Sequence, residues 1–371
     1  MISATPSVFD ASLSRSGGAG IDAFVDRHDP DVDYTYYGAG KVALRDGLDG
    51  LVEPGENVLV PAYLSPAVVE PFRDLGLEPR FYAIEETLAP DFADLESRID
   101  DDTVAVMSVN YFGFPQPGLE RLASLTNEYD CYHIDDNAHG PISVADGTLL
   151  GTHGDLGFTT LRKLLPVPDG AILYRVADEV KAAFSPSPLA GSAERIAATD
   201  CRFVTTSAAE TALGPLYQSI ESMLDDGADD PSSVDPGARY EATKAPMSKF
   251  TAMVTDAADP DAIRAARREN YRTWQQVLAD REDITIFYER LPEGISPYEF
   301  PVRARDPDAF LAALHDCGVV GAHTWPILRE SVFEADGYDT ATRLSQEVVT
   351  LPVHQGIEPA AIEAAGDRLQ R

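Results

Sequence analysis

The stretch of sequence that decides the fold is residues 157–163, GFTTLRK, in which an apolar run ends at Lys163. A second apolar run, residues 131–134, leads into two acidic residues, Asp135 and Asp136, and Asp136 lies 27 residues before the lysine. Both runs have the length and composition of buried strands. The sequence therefore predicts an acid at one strand end and a lysine just past a later strand.

Lys163 and Asp136 together predict a cofactor site. A lysine amine can form a Schiff base with pyridoxal phosphate (PLP), and a carboxylate can keep the pyridine nitrogen of this cofactor protonated. Only five of the 29 basic residues are lysines, so a lysine in an apolar stretch is not a random surface choice. The alternative is a solvated lysine paired with a nearby aspartate, since structural ion pairs imitate active sites.

The net charge of the chain indicates the salt concentration in which the protein works and the partners that it can bind. Its 371 residues contain 62 acidic and 29 basic residues, a net charge of -33 spread along the whole sequence. Molar salt shortens the Debye length to about 3 Å and would screen the resulting repulsion. We therefore expect a salt-rich cytoplasm, and no nucleic-acid partner because no basic face exists to neutralise phosphates.

The remaining composition indicates a cytoplasmic protein with neither membrane nor metal contacts. No apolar run is long enough to span a bilayer, and residues 1–20 lack the features of a secretory signal. The three cysteines are far apart without CxxC spacing, which indicates free thiols in a reducing compartment. The seven histidines form neither an HxxxH nor an HExxH pattern, so a zinc site has little support.

From about residue 38 to 175, short apolar strands alternate with amphipathic helices, which is typical of a mainly parallel α/β sheet with helices on both faces. Residues 225–237 are rich in Asp, Pro, Ser and Gly and are interpreted as a mobile surface connection. After them the pattern predicts a mixed α+β part, including a strand at 318–322. We expect a large domain over 1–240 and a smaller C-terminal domain over 241–371.

The first predicted site element is the turn at residues 37–44, YGAGKVAL, which leads into a helix. Gly38 and Gly40 let the backbone approach an anion, and the helix dipole favours a phosphate there. Lys41 in the first helical turn opposes the dipole unless an anion is present. An ordinary helix start is the alternative, since two glycines alone are weak evidence.

The second element is residues 135–140, DDNAHG. If Ile134 faces the core, the period of two places Asp136 toward the interior and turns Asp135 away. A buried aspartate requires a cationic partner, which a pyridinium would supply. His139 could cover the cofactor ring or hydrogen-bond its phenolic oxygen, although a solvated loop histidine is an equal alternative.

The third element surrounds the lysine. Thr160, three residues before Lys163, has a hydroxyl that can reach the cofactor phosphate, and Arg162 could add a charge-assisted contact. A free lysine amine is mostly protonated at neutral pH. Bound to a conjugated acceptor, it becomes reactive, so Lys163 is predicted to serve as both tether and base.

These motifs, in this order, resemble PLP enzymes of fold type I, and most closely the DegT/DnrJ/EryC1/StrS family of sugar aminotransferases. The similarity is carried by the turn at 38–44, the strand and loop at 56–63, and the acid-rich segment at 133–139. Further matching segments lie at 103–106, 110–113, 150–157, 265–271 and 344–354.

The resemblance implies a homodimeric PLP-dependent aminotransferase that moves an amino group from an amino acid, glutamate by expectation, to a nucleotide-linked keto sugar. It also implies roles for six residues. Lys163 would carry the cofactor, Asp136 would pair with the pyridine nitrogen and His139 would lie at the ring. The phosphate would be held by Gly40, Lys41 and Thr160.

The sequence departs from the family pattern in three places. Lys41 stands where the family has Ser or Thr, residues 166–170 (PVPDG) replace a Gly-Glu-Gly-Gly run, and the asparagine expected near 246–248 is absent. Two alternatives therefore remain: another PLP reaction on the same fold, such as a lyase or dehydratase reaction, or a family member without catalysis. Retention of Lys163 and Asp136 argues against the second.

Overall fold

The computed structural model describes residues 1–8, 19–213 and 235–370. Seven strands form the central sheet: β1 Asp33–Tyr37, β2 Asn57–Pro61, β3 Glu78–Tyr82, β4 Thr103–Val109, β5 Tyr132–Asn137, β8 Leu156–Thr160 and β9 Ala171–Arg175. Their order in the sheet is β1-β9-β8-β5-β4-β2-β3. The pairs β5–β8, β4–β5, β2–β4 and β2–β3 are parallel, and β9 is antiparallel to both of its neighbours. The predicted mainly parallel sheet is confirmed.

Two further strands, β6 Val144–Ala145 and β7 Thr148–Leu149, form a small hairpin after β5. A second, antiparallel sheet has the order β10-β11-β13-β12, with β10 Ile284–Ile286, β11 Glu299–Ala304, β12 His323–Thr324 and β13 Val348–Pro352. The predicted strand at 318–322 is wrong. Those residues form a turn in which Gly318 has a φ of 86°, a conformation that ends the preceding helix and that glycine adopts readily.

Acidic residues start several helices. Three helices begin with Pro at their first position after an aspartate whose side chain accepts a backbone N–H of the first turn; the aspartates are Asp235, Asp259 and Asp306. The helices are Gly20–His28, Gly40–Leu48, Glu70–Asp74, Phe92–Arg98, Leu119–Glu128, Asp178–Ala183, Ala198–Leu213, Pro236–Glu241, Lys249–Ala257, Pro260–Leu278, Pro307–Asp316, Glu330–Glu334, Asp339–Glu347 and Pro359–Leu369.

The long helix Pro260–Leu278 packs along the last helix, Pro359–Leu369, and its buried residues include Arg267 and Trp274. The first residues of the chain also pack on the C-terminal part, because the Ile2 N–H donates to the Gly318 carbonyl at 2.8 Å. Most of the predicted mobile connection at 225–237 lies outside the described residues. Within the described part of the chain, no helix has the length and apolar character needed to cross a membrane.

Candidate active site

The predicted site residues converge at the carboxyl edge of the parallel strands. Register pairs Val109 of β4 with Asp136 of β5, and Asp136 with Phe158 of β8. After β8 the chain makes a 3-10 turn, Leu161–Lys163, which places Lys163 at the same edge. Asp136 and Lys163 are close enough for the charge of each to shift the pKa of the other. Ligand sites of open α/β sheets lie at this edge.

Asp136 is a buried carboxylate with spare hydrogen-bonding capacity. It is 4% exposed, and one oxygen accepts the Ala138 N–H at 2.9 Å. No described residue gives the other oxygen a hydrogen bond. Burial raises the pKa of Asp136, and the Lys163 charge only partly opposes this effect. The site therefore offers an acceptor for one further cationic or N–H group.

Asp135 is also buried, so the expectation that it turns away needs correction. It does lie on the opposite face of β5 from Asp136, but it is completely inaccessible there. Its carboxylate accepts the Asn110 side-chain amide at 2.7 Å and the backbone N–H groups of Gly151 and His153 at 2.9 and 3.1 Å. Burial alone would raise the pKa of Asp135, but His153, whose Nδ1 lies 3.6 Å from Oδ2 and whose backbone N–H donates to it, lowers that pKa below its usual value. Both faces of the sheet are covered, so alternation separates two buried environments rather than core from solvent.

Lys163 is half-buried, and its Nζ lies 5.4 Å from the centroid of the Tyr298 ring. Burial lowers the pKa of Lys163, Asp136 opposes this effect, and the neighbouring Arg162 reinforces it. A lysine with a lowered pKa has a larger fraction of neutral, nucleophilic amine at neutral pH. The position therefore favours covalent chemistry at Nζ.

His139 is buried and neutral. Its Nδ1 accepts the Phe112 N–H at 3.0 Å, which assigns the ring proton to Nε2. Burial and the charge of Lys163 hold the pKa of His139 well below its usual range. Its ring centroid lies 4.8 Å from that of Tyr298 and 5.2 Å from that of Trp325. His139 is thus a fixed aromatic wall rather than a solvated loop residue.

The glycine turn lies next to Thr160. A Cβ on Gly40 would come within 3.1 Å of the Thr160 hydroxyl and 2.8 Å of the Phe158 ring, so only glycine fits there. A helix starts at Gly40, beside this hydroxyl, and the first N–H groups of a helix have no intrahelical acceptor.

Cations gather around the same turn. Lys41 is half-buried, and burial together with the charges of Arg162 and Arg239 lowers its pKa, an effect that the charge of Glu70 only partly opposes. None of these three residues forms an ion pair with a described acidic residue. Unpaired cations are unexpected in a chain of net charge -33. The turn therefore fits an anion such as a phosphate.

Sequence reasoning gave no role to several residues that surround Lys163. Arg267 donates to the Lys163 carbonyl at 3.1 Å, and Tyr298 and Trp325 line the site beside His139. Arg267 stands within the 265–271 segment that carried the family resemblance, but nothing local to that helix shows which distant carbonyl it reaches. Trp325 precedes a cis peptide bond to Pro326, which no local pattern indicated.

The fold is that of PLP-dependent fold type I aminotransferases. The chain superposes on the aminotransferase TlmJ from Streptoalloteichus hindustanus with a TM-score of 0.67, 19% identity, and coverage of 99% of this chain and 97% of the other. PseC of Helicobacter pylori, an aminotransferase involved in pseudoaminic acid biosynthesis, gives a TM-score of 0.70 at 13% identity and covers 100% and 98%.

Residues 39–162 match the DegT/DnrJ/EryC1/StrS aminotransferase family, which confirms the resemblance read from the motifs. GDP-perosamine synthase of Vibrio cholerae is 32% identical over 119 residues, 32% of each chain. The GDP-4-keto-6-deoxy-D-mannose 3-dehydratase of Yersinia pseudotuberculosis is 31% identical over 104 residues, 28% of this chain and 26% of that one. These matches span about a third of the relatives' length.

Proposed function

We propose that this protein is a PLP-dependent aminotransferase that transfers an amino group from an amino acid, most simply glutamate, to a keto sugar carried on a nucleotide. The observation that carries the proposal is the meeting of buried Asp136 and half-buried Lys163 at the carboxyl edge of the sheet, both with charges that burial disfavours. The similar proteins of V. cholerae and Y. pseudotuberculosis carry names that refer to GDP-linked sugars, which supports a nucleotide-linked sugar as the acceptor.

The residues present fit PLP. The second oxygen of Asp136 would accept the protonated pyridine nitrogen, and Lys163 would hold the cofactor covalently. The helix start at Gly40, with Lys41 and Thr160, would hold the phosphate, and His139 would lie against the ring. When bound, the cofactor would supply an electron sink that stabilises negative charge next to the reacting carbon.

The protein's own residues would then orient and move protons. Asp136, buried at the end of its strand, would remain paired with the protonated pyridine nitrogen and hold the cofactor ring in place. Lys163, through its Nζ, would take up the proton that leaves the donor carbon and act as the proton carrier of the site. The lowered pKa of Lys163 supports this role, because it keeps the amine neutral more often. His139, fixed through Nδ1, would exclude water from this side.

The setting completes the proposal. We propose that the protein is a homodimer, which the family resemblance supports. We also propose a salt-rich cytoplasm, which the net charge of -33 supports. The cations near Gly40 would resist loss of the phosphate, since charge-assisted contacts in a partly buried site are screened less than those on the surface.

The test uses purified protein at high salt, loaded with PLP and then given L-glutamate without an acceptor. An aminotransferase loses its visible cofactor band and releases one 2-oxoglutarate per site. A keto sugar nucleotide should then restore the band and gain the nitrogen. A protein that binds no PLP, or that never releases 2-oxoglutarate with any of the common amino donors, would contradict the proposal.

Dehydration of a keto sugar is the second candidate function, favoured by the Y. pseudotuberculosis relative. The same experiment separates the two reactions. A dehydratase would return a sugar that has lost water and has not gained nitrogen. Mass spectrometry of the sugar product therefore decides between them.

A further inference from the structure

Arg267 connects the helix Pro260–Leu278 to the turn that carries Lys163. The side chain is 2% exposed. Its Nη2 donates to the carbonyls of Lys163 and Leu164, at 3.1 and 3.2 Å. Both carbonyls belong to the end of the 3-10 turn, where intrahelical donors are missing. The guanidinium therefore satisfies the backbone of the lysine turn directly.

The other nitrogens of Arg267 fix its position. Nη1 donates to the carbonyls of Pro297 and Tyr298, at 3.2 and 3.4 Å, and Nε donates to Gln355 Oε1 at 2.9 Å. Tyr298 is the residue whose ring contacts the Lys163 amine. One planar group thus joins the lysine turn to the loop that supplies the aromatic wall of the site.

Gln355 reinforces the same arrangement. Its Nε2 donates to the Leu164 carbonyl at 2.9 Å, while its oxygen accepts from Arg267. The Leu164 carbonyl consequently receives two donors from the C-terminal part of the chain. A lysine at position 267 would keep the charge but could not reproduce a fork of fixed donors to four carbonyls.

We propose that Arg267 is a positioning residue of the active site, which fixes the turn after β8 and so sets where the Lys163 amine lies and how much water reaches it. The inference rests on the proposed function only for the identity of Lys163 as the cofactor-bearing residue. Arg267 itself acts through the backbone. Its removal should loosen the amine rather than remove a reacting group.

The chain offers a matched control in the next residue. Arg268 is also buried, at 9% exposure, and also donates to backbone carbonyls, including that of Ile295 at 2.8 Å and that of Pro292. Its contacts lie in the loop 291–295 and do not include the lysine turn. Arg268→Lys therefore removes a comparable set of hydrogen bonds from the same helix without touching Lys163.

The test compares Arg267→Lys with Arg268→Lys in the cofactor-free, full-length protein. Competitive acetylation across pH, followed by peptide mass spectrometry, measures the pKa of the Lys163 amine, and thermal melting measures stability. Both variants should lower the melting temperature. Only Arg267→Lys should raise the pKa of Lys163, by about one unit, because a loosened amine regains hydration. An unchanged pKa in Arg267→Lys, or equal shifts in both variants, would overturn the inference.

A second variant covers the case in which Arg267→Lys does not fold. Gln355→Ala removes one donor from the Leu164 carbonyl and the Gln355 acceptor from Arg267 Nε, so a smaller upward shift of the Lys163 pKa is expected; no shift would count against the inference. Failure of the wild-type protein to bind PLP would refute the proposed function instead. That failure would leave the acetylation comparison intact, since it is made without cofactor.

Discussion

Replacement of Asp135 and of Asp136 by asparagine should have different effects on the stability of the cofactor-free protein. Asp135 sits in a closed shell: Oδ1 accepts the Asn110 amide, and Oδ2 accepts the N–H groups of Gly151 and His153. In Asp135→Asn one oxygen can still serve two donors, but the new NH₂ group faces the Asn110 NH₂ group. Asn110 cannot turn freely, because its oxygen accepts the Gln116 N–H at 3.1 Å.

The cost of Asp135→Asn follows from that geometry. One buried donor loses its acceptor, one new donor is buried without a partner, and the charge assistance disappears, which together cost about 3 kcal/mol. For a protein of this size that corresponds to a fall in melting temperature of roughly 5 °C. Because the strand carrying Asp136 would shift as well, turnover should also drop.

Asp136→Asn should leave stability unchanged or raised in the cofactor-free protein, because it removes a charge that burial disfavours. It should nevertheless abolish turnover. The assay is thermal melting of cofactor-free wild type and both variants in molar KCl, followed by turnover after PLP is added. The reasoning is refuted if Asp135→Asn melts with the wild type while Asp136→Asn melts well below it.

Three further predictions follow from the site and the charge. Borohydride reduction of PLP-loaded protein should place the pyridoxyl label on Lys163; a label on Lys41 would remove Lys163 as the tether. Added PLP should raise the melting temperature most near neutral pH. Burial raises the pKa of Asp136, so its contribution to stability is present below the ordinary carboxyl pKa and is lost as pH rises. Burial lowers the pKa of Lys163, so its contribution is present above the ordinary amine pKa and is lost as pH falls. Near neutral pH the cofactor-free protein has neither contribution, and PLP has most to add there. An equal PLP effect in acidic, neutral and alkaline buffer would contradict this account. With 62 acidic against 29 basic residues, the melting temperature should climb steeply with added KCl, since a Debye length of about 10 Å at 0.1 M screens neighbouring charges only partly. A melting temperature that is flat from dilute buffer to molar KCl would remove the argument for a salt-rich setting.

The local sequence pattern predicted an element correctly where that element depends mainly on its own residues. The strands Tyr132–Asn137 and Leu156–Thr160 overlap the two apolar runs that were predicted to be buried strands, because an apolar run depends only on nearby side chains. The turn at 318–322 was mistaken for a strand because Val319 and Ala322 are buried for another reason: the turn follows a helix and is hydrogen-bonded to the backbone of Ile2.

The sequence by itself determined the alternation of strands and helices from about residue 38 to 175, the acid and the lysine at two strand ends, and the glycine turn, since each depends on the chemistry of a few neighbouring residues. Only the tertiary structure decided that Asp135 is as buried as Asp136, that His139 is fixed by the Phe112 N–H, and that Arg267 reaches the Lys163 carbonyl, 104 residues away in the chain. The physical reason is that burial and hydrogen-bond partners are properties of surfaces brought together by folding. A residue's type limits which partners it accepts, but the packing of distant elements selects one of them.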